Sequence, residues 1–300
     1  MTASLSSPKL SPVPGVCWMA LTGVFFVAVT AVVKWGAQDL PAAEAAFLRY
    51  VLGLVFLIPM LGPIRRAKLS ARQLRLFGLR GGAHTLGVIL WFYAMTRISV
   101  AEVTAMNYMA PIYVTLGAAF FLGESLAFRR ILAILGAVIG ALIIMRPGFR
   151  ELSDGHIAML GTAVFFGIGY LTAKRLADEV PAVVVVGMLS IVVTIGLAPF
   201  AIAVWVWPSW TELCAMFVVA CFATAGHYTM TRAFAVAPVT VTQPVTFLQL
   251  IWATVLGWAM FGEAIDPFVV FGGIIILTSV TALTIREAVL KRQRTPPHTH

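Results

Sequence analysis

Two histidines, His84 and His227, and a small set of amides and aromatics stand inside otherwise apolar stretches of this chain. An ionisable or amide group in hydrocarbon costs a few kcal/mol unless it faces a bundle interior or water, so each needs a reason to be there. His84 follows Arg80 by about one turn and His227 precedes Arg232 by a little more, which places both toward the cytoplasmic ends of their helices. Each either donates to a neighbouring carbonyl and stabilises packing, or lines a pathway and exchanges protons. Asn107 and Tyr108 fall near mid-span, as do Gln243 and Gln249 further along. With Trp18, Phe25, Trp91 and Tyr170 they would make a flat, polar, aromatic-walled cavity suited to a heteroaromatic solute, rings stacking and amides reading its edge. The competing reading for any one aromatic is that it packs or faces lipid.

A second cluster, Glu44, Arg49 and Glu102, gathers toward the outer side with Lys34 and Arg97. It reads as an outer gate held by ion pairs, or as surface pairing worth little. Other chemistries lack their residues. The 12 acidic residues are scattered along the chain, so no acidic catalytic or metal-binding motif forms. The three cysteines, Cys17, Cys214 and Cys221, have no metal-ligand spacing. No phosphate-binding loop of the G-x-x-x-x-G-K-S/T type occurs. Neither a catalytic residue, a metal nor a cofactor is expected, and the chain does not read as an enzyme.

The elements that must hold these residues follow from composition. Of 300 residues, 60% are hydrophobic and 11% charged, against about 25% charged in a soluble domain. A helix crosses the bilayer in about 20 apolar residues, because its backbone satisfies its own hydrogen bonds where no water can. Such stretches fall near 13–34, 46–62, 79–97, 100–122, 130–146, 156–175, 182–205, 212–232, 239–262 and 267–286. The expected fold is an all-α integral membrane protein of ten transmembrane helices. Residues 1–12 read as a disordered cytoplasmic N-terminus and 287–300 as a cytoplasmic basic tail. The first apolar stretch reads as a permanent helix rather than a cleaved leader.

Charge placement gives the orientation. With both termini cytoplasmic, sixteen of the 21 Lys and Arg residues lie on the inner side, as the positive-inside rule requires. The net charge of +9 is therefore a topology signal, and no nucleic-acid partner is implied. Residues 24–41 and 164–181 repeat one phrase at an offset of 140, sharing Phe25/Phe165, Phe26/Phe166, Lys34/Lys174 and Pro41/Pro181. An offset of 139 relates Gly123-Glu124 to Gly262-Glu263 and Asn107-Tyr108 to Thr246-Phe247. The units are 13–148 and 156–286. Five helices per unit is an odd number, so the second unit enters the membrane from the opposite side. Inverted repeats are the signature of alternating-access transporters. Gly136 and Gly140 permit close helix contact, within the chain or in a homodimer.

Residues 91–148, WFYAMTRISVAEVTAMNYMAPIYVTLGAAFFLGESLAFRRILAILGAVIGALIIMRPG, resemble the fourth- and fifth-helix region of EamA-type proteins of the drug/metabolite transporter superfamily. FLRY at 47–50 resembles their second helix. The resemblance is closest to the branch with S-adenosylmethionine and riboflavin carriers. It implies a secondary carrier of a small organic metabolite, multi-pass in the inner (plasma) membrane. An exporter of amino acids or drugs is the second reading; a membrane-embedded enzyme or scaffold is the third.

Overall fold

The computed structural model describes residues 13–110, 112, 113, 116, 128–149, 151–177, 179–236 and 242–294. Its regular structure among these residues is helical: α1 (Val13–Gly36), α2 (Ala42–Gly53), α3 (Leu61–Arg66), α4 (Ala71–Met95), α5 (Val100–Asn107), α6 (Phe128–Met145), α7 (Asp154–Ala177), α8 (Ala182–Ala203), α9 (Trp210–Val236), α10 (Phe247–Phe261) and α11 (Pro267–Arg294). Tighter 3₁₀ turns join α2 to α3 (Leu54–Met60) and lead into α10 (Gln243–Thr246). By length and composition α1, the run Ala42–Arg66, and the segments Val183–Ala203 and Trp210–Met230 are each able to cross a membrane. Shorter apolar helices cover Ile131–Met145, Leu248–Phe261 and Pro267–Leu283.

Local chemistry sets the helix ends. Ser70 Oγ accepts from Gln73 N and Gln73 Oε1 accepts from Ser70 N, a reciprocal cap that starts α4 at Ala71. Ser209 and Glu212 make the same exchange ahead of α9, at 2.7 and 3.3 Å. These serines are 139 residues apart, so the repeat extends to a cap that hydropathy does not register. Pro41 and Pro181, matched at 140, precede α2 and α8 with nearly identical dihedrals, φ −55° and ψ 137° against φ −54° and ψ 140°. Proline's fixed φ suits that position, where its missing N–H is not needed. Their downstream matches part company: Pro59 sits in the 3₁₀ run and Pro199 inside α8.

Because of the Ser70 cap, α4 begins eight residues before the apolar stretch at 79. His84 is consequently near the middle of a 25-residue helix rather than toward its end. The last helix likewise continues past 286 to Arg294. Hydropathy marks where a helix meets lipid, whereas capping marks where it starts. The N-terminal 1–12, the Gly123-Glu124 pair and residues 295–300 lie outside the described residues.

Packing alternates between the two halves. Helix α1 lies along α9 and α4 lies along α7; α2 meets α9 as α8 meets α4; α1 touches α10 as α5 touches α7. Exchanging each element for its repeat partner turns one contact into the other. The self-paired contacts are α2 with α8, α5 with α10 and α6 with α11. Helix α1 ends where α7 begins. Lys34, in the last turn of α1, donates to the Ile98 carbonyl, and Gly155, in the first turn of α7, packs on Ile98 and Arg97. At the α6–α11 crossing a Cβ on Gly140 would stand 2.6 Å from the Gly272 carbonyl, and one on Gly272 would stand 2.5 Å from the Gly140 carbonyl. Gly136 packs on Ser279 of the same helix, so both glycines of the GxxxG serve intramolecular contact.

The outer surface is apolar. Leu132, Leu135, Ile139 and Leu142 of α6, Ile195 and Ile202 of α8, and Trp252 and Trp258 of α10 all have exposed side chains. The interior is filled by residues such as Phe92, Met95, Met106, Ile144, Met216 and Ile276. Exposed leucines and isoleucines on this scale belong against lipid.

Candidate functional site

The interior between the halves is built on the repeated Phe-Phe pair. A Cβ on Gly87 of α4 would meet Phe166 at 2.7 Å and Phe165 Cβ at 3.2 Å; one on Gly226 of α9 would meet Phe26 at 3.3 Å and Phe25 Cβ at 3.5 Å. Gly87 and Gly226 are 139 apart, so each half supplies a glycine notch for the other's phenylalanines. Beside each notch stands a histidine. The His84 ring stacks on Phe166 with centroids 4.9 Å apart, and His227 meets Phe26 edge-on at 5.3 Å. The histidines do not align under either offset, yet the fold brings them to equivalent aromatic partners.

His84 Nε2 is hydrogen-bonded to the Tyr50 hydroxyl at 2.9 Å, which links α4 to α2. The Arg49 guanidinium lies over the Tyr50 ring, 4.0 Å from its centroid. Arg80 donates to the Val185 carbonyl at 3.0 Å. Both Arg49 and Arg80 act electrostatically on His84 and on His227, so the four groups share one region. The His227 side chain is exposed. Trp91 meets Phe166 edge-on at 6.1 Å, Phe25 stacks with Phe222 at 6.1 Å, and Arg232 lies 5.8 Å over the Trp18 ring.

The other expected site residues divide. Asn107, the last residue of α5, and Gln249 of α10 are half-buried and make no side-chain hydrogen bond among the described residues. Gln249 rests its Cβ against Gly23 of α1. Tyr108 is committed: its hydroxyl donates to the Thr246 carbonyl at 2.7 Å, and the side chain is buried. It joins the end of α5 to the turn before α10. Both matched helices lose α geometry at this level, where α5 stops at Asn107 and a 3₁₀ turn precedes Phe247. Pro111 has no N–H for the Asn107 carbonyl, and Pro244 stands in the second break. The side chains of Gln243 and Tyr170 lie outside the described residues.

The Glu44, Arg49 and Glu102 side chains are not brought together. Glu44 is fully buried and accepts from Val206 N at 2.9 Å. Glu102 caps α5 through Ser99 and takes a contact from His156 Nε2 at 3.2 Å. Sequence spacing placed the three at one face without fixing which way each side chain turns. What joins helices at that end is Lys34 with Glu263, at 2.6 Å and with side chains 16% and 15% exposed. Glu263 also accepts from Val100 N at 3.0 Å. Arg146 pairs with Asp266 nearby. Sequence reasoning missed the Lys34–Glu263 pair, although its members are polar members of the two repeated phrases. A recess of about 480 Å³ between Trp35, Asp39 and Glu212 lies at the ends of α1 and α9, away from the histidines. Among the described residues no group of three His, Cys, Asp or Glu could hold a metal ion.

The signature of the EamA-like transporter family matches the chain twice, over residues 13–146 and 153–285. A riboflavin transporter of Vibrio cholerae is 26% identical over 96% of this chain and 98% of its own length. An S-adenosylmethionine uptake transporter of Rickettsia prowazekii is 22% identical over 91% of this chain and 93% of its own. A pseudopaline exporter of Pseudomonas aeruginosa is 28% identical over 90% and 95%. The family and these relatives are transporters, not enzymes.

Proposed function

The chain belongs to the EamA-like transporter family of the drug/metabolite transporter superfamily, and from that premise we propose that it carries a small, flat, heteroaromatic metabolite by alternating access without ATP. The carrier spans the cell membrane as ten helices in two inverted five-helix repeats, termini in the cytoplasm. The exchange of contacts supports this: α1 with α9 becomes α4 with α7 when the halves are swapped. Near-symmetric halves make inward-open and outward-open packings close in energy, which a rocking carrier requires. The single observation that carries the reading is the interior between those halves, where Phe26 meets His227 and Phe166 meets His84, one such pair on each repeated phenylalanine. Where the matched helices break, Asn107 and the nearby Gln249 offer side-chain amides that make no hydrogen bond among the described residues.

Riboflavin and S-adenosylmethionine, named for two of the relatives, both combine a flat ring system with polar edges and are the first solutes to test. Purified protein is screened by thermal shift against these, nucleosides and amino acids, since a ligand bound to the folded state raises its stability by mass action. Sealed proteoliposomes then measure uptake of any stabilising solute. Saturable uptake that falls in Asn107→Ala and Gln249→Ala, with folded yield unchanged, is the expected result. Such a change leaves a ligand group unpaired and costs about 1 to 3 kcal/mol of affinity. Absence of flux for every stabilising solute would refute transport, and full affinity in both variants would move the site.

A further inference from the structure

We propose that the transported solute carries a carboxylate or phosphate, and that Arg49 receives it. The inference rests on the transport reading and narrows its substrate class. Arg49 is seven residues beyond the start of α2, so about 10 Å of helix separates it from that end. Its guanidinium keeps its charge at any physiological pH and offers five N–H donors. Among the described residues it makes no ion pair and no hydrogen bond; its partner is the face of Tyr50 at 4.0 Å.

Among the described residues no carboxylate pairs with it. Glu44, on its own helix, accepts from Val206 N, Glu102 is taken by Ser99 and His156, and Glu263 by Lys34 and Val100. His84 on α4 and His227 on α9 both lie within electrostatic reach of Arg49, and neither is acidic. A charge held at this depth without a counter-charge is costly, so a chain that keeps one there draws its counter-charge from outside. The guanidinium fork matches an oxyanion with two parallel hydrogen bonds. Tyr50 holds the guanidinium beneath and is itself fixed by His84, whose ring stacks on Phe166. An aromatic acid satisfies both halves of this arrangement at once.

Matched acid and neutral pairs test it on the full chain in uncharged detergent: nicotinate with nicotinamide, indole-3-acetate with indole-3-acetamide, and riboflavin 5′-phosphate with riboflavin. A separate arm adds phosphatidylglycerol. The anionic member of a pair is expected to raise the unfolding temperature at a concentration at least about tenfold below its neutral partner. Arg49→Gln removes that difference and Arg97→Gln, on the exposed Arg97, leaves it intact. If Arg49→Gln does not fold, Arg49→Lys carries the test: it keeps the charge, loses the fork, and weakens the anion several-fold. The proposal is overturned if the neutral partners bind as well, if the preference survives at Arg49, if only phosphatidylglycerol stabilises, or if no pair does. Proteoliposome flux separates the two readings. Neutral solutes moving independently of Arg49 would leave transport standing and remove this inference; no movement of any solute would remove transport itself.

Discussion

Replacing Lys34 by Met, Glu263 by Gln, and both together isolates the contact that ties the end of α1 to the segment between α10 and α11. The ammonium and carboxylate are 2.6 Å apart and about 85% withdrawn from solvent. Unit charges about 4 Å apart attract by about 4 kcal/mol at an effective dielectric of 20, and desolvation offsets most of that. The pair is therefore worth little net, while its halves alone are not. Lys34→Met leaves Glu263 with Val100 N as its donor, and Glu263→Gln leaves Lys34 with the Ile98 carbonyl. Each single change should destabilise by about 2 to 3 kcal/mol, and the double change by under about 1 kcal/mol, giving a coupling of at least about 3 kcal/mol. Reversible unfolding in mixed micelles measures all four corners of the cycle. Additive losses, or single losses below about 0.5 kcal/mol, would refute the view that this is a desolvated, mutually dependent pair.

The glycines give a paired test: Gly140→Ala drives a Cβ to 2.6 Å from the Gly272 carbonyl, whereas Gly82→Ala meets nothing within 4 Å. The first should lose about 1 to 3 kcal/mol in the same unfolding assay, and the second should gain up to about 1 kcal/mol from helix propensity. Tyr108→Phe deletes the hydrogen bond to Thr246 and should lower stability by about 1 kcal/mol while affinity per folded molecule stays unchanged. Hydrogen bonds from Gln73 and then Arg72 hold the Glu179 carboxyl below its usual range. A depressed carboxylate stabilises above its unfolded value and loses that contribution as pH falls through the folded one. Glu179 should therefore titrate by carbon NMR below the ordinary carboxylate range, and Gln73→Ala with Arg72→Ala should return it upward. Lys68→Cys, in a Cys17→Ser, Cys214→Ser background because both cysteines are exposed, should resist an impermeant thiol reagent in intact cells and react after permeabilisation; labelling in intact cells would reverse the orientation.

Much of the candidate site was legible because polar residues in apolar runs are few. His84, His227, Asn107 and Gln249 stand out on composition alone, and the structure leaves the two amides without side-chain partners among the described residues. Tyr108 stood out equally, but whether its hydroxyl faces a cavity or a carbonyl depends on how α5 meets α10. Arg49 was read as part of an outer ion-pair cluster. Its side chain instead turns onto Tyr50, a choice of rotamer that residue spacing does not encode. His84 lies nearer the middle of its helix than the apolar stretch implied, because the Ser70 cap starts that helix before the hydropathy rises.

The sequence by itself determined that this chain is helical and belongs in lipid, since 60% apolar composition in runs of about 20 leaves the backbone no other way to satisfy its hydrogen bonds. It also determined the duplication, because Phe25-Phe26, Lys34 and Pro41 recur at one spacing too exact for chance apolar matching. Tertiary structure alone decided which residues of one copy meet which of the other: Gly87 under Phe166, Gly226 under Phe26, Lys34 against Glu263. Periodicity is a property of neighbours along the chain, within a turn or two. Contacts between residues 79 to 229 positions apart depend on helix crossing and side-chain direction, and those are fixed when the two halves pack.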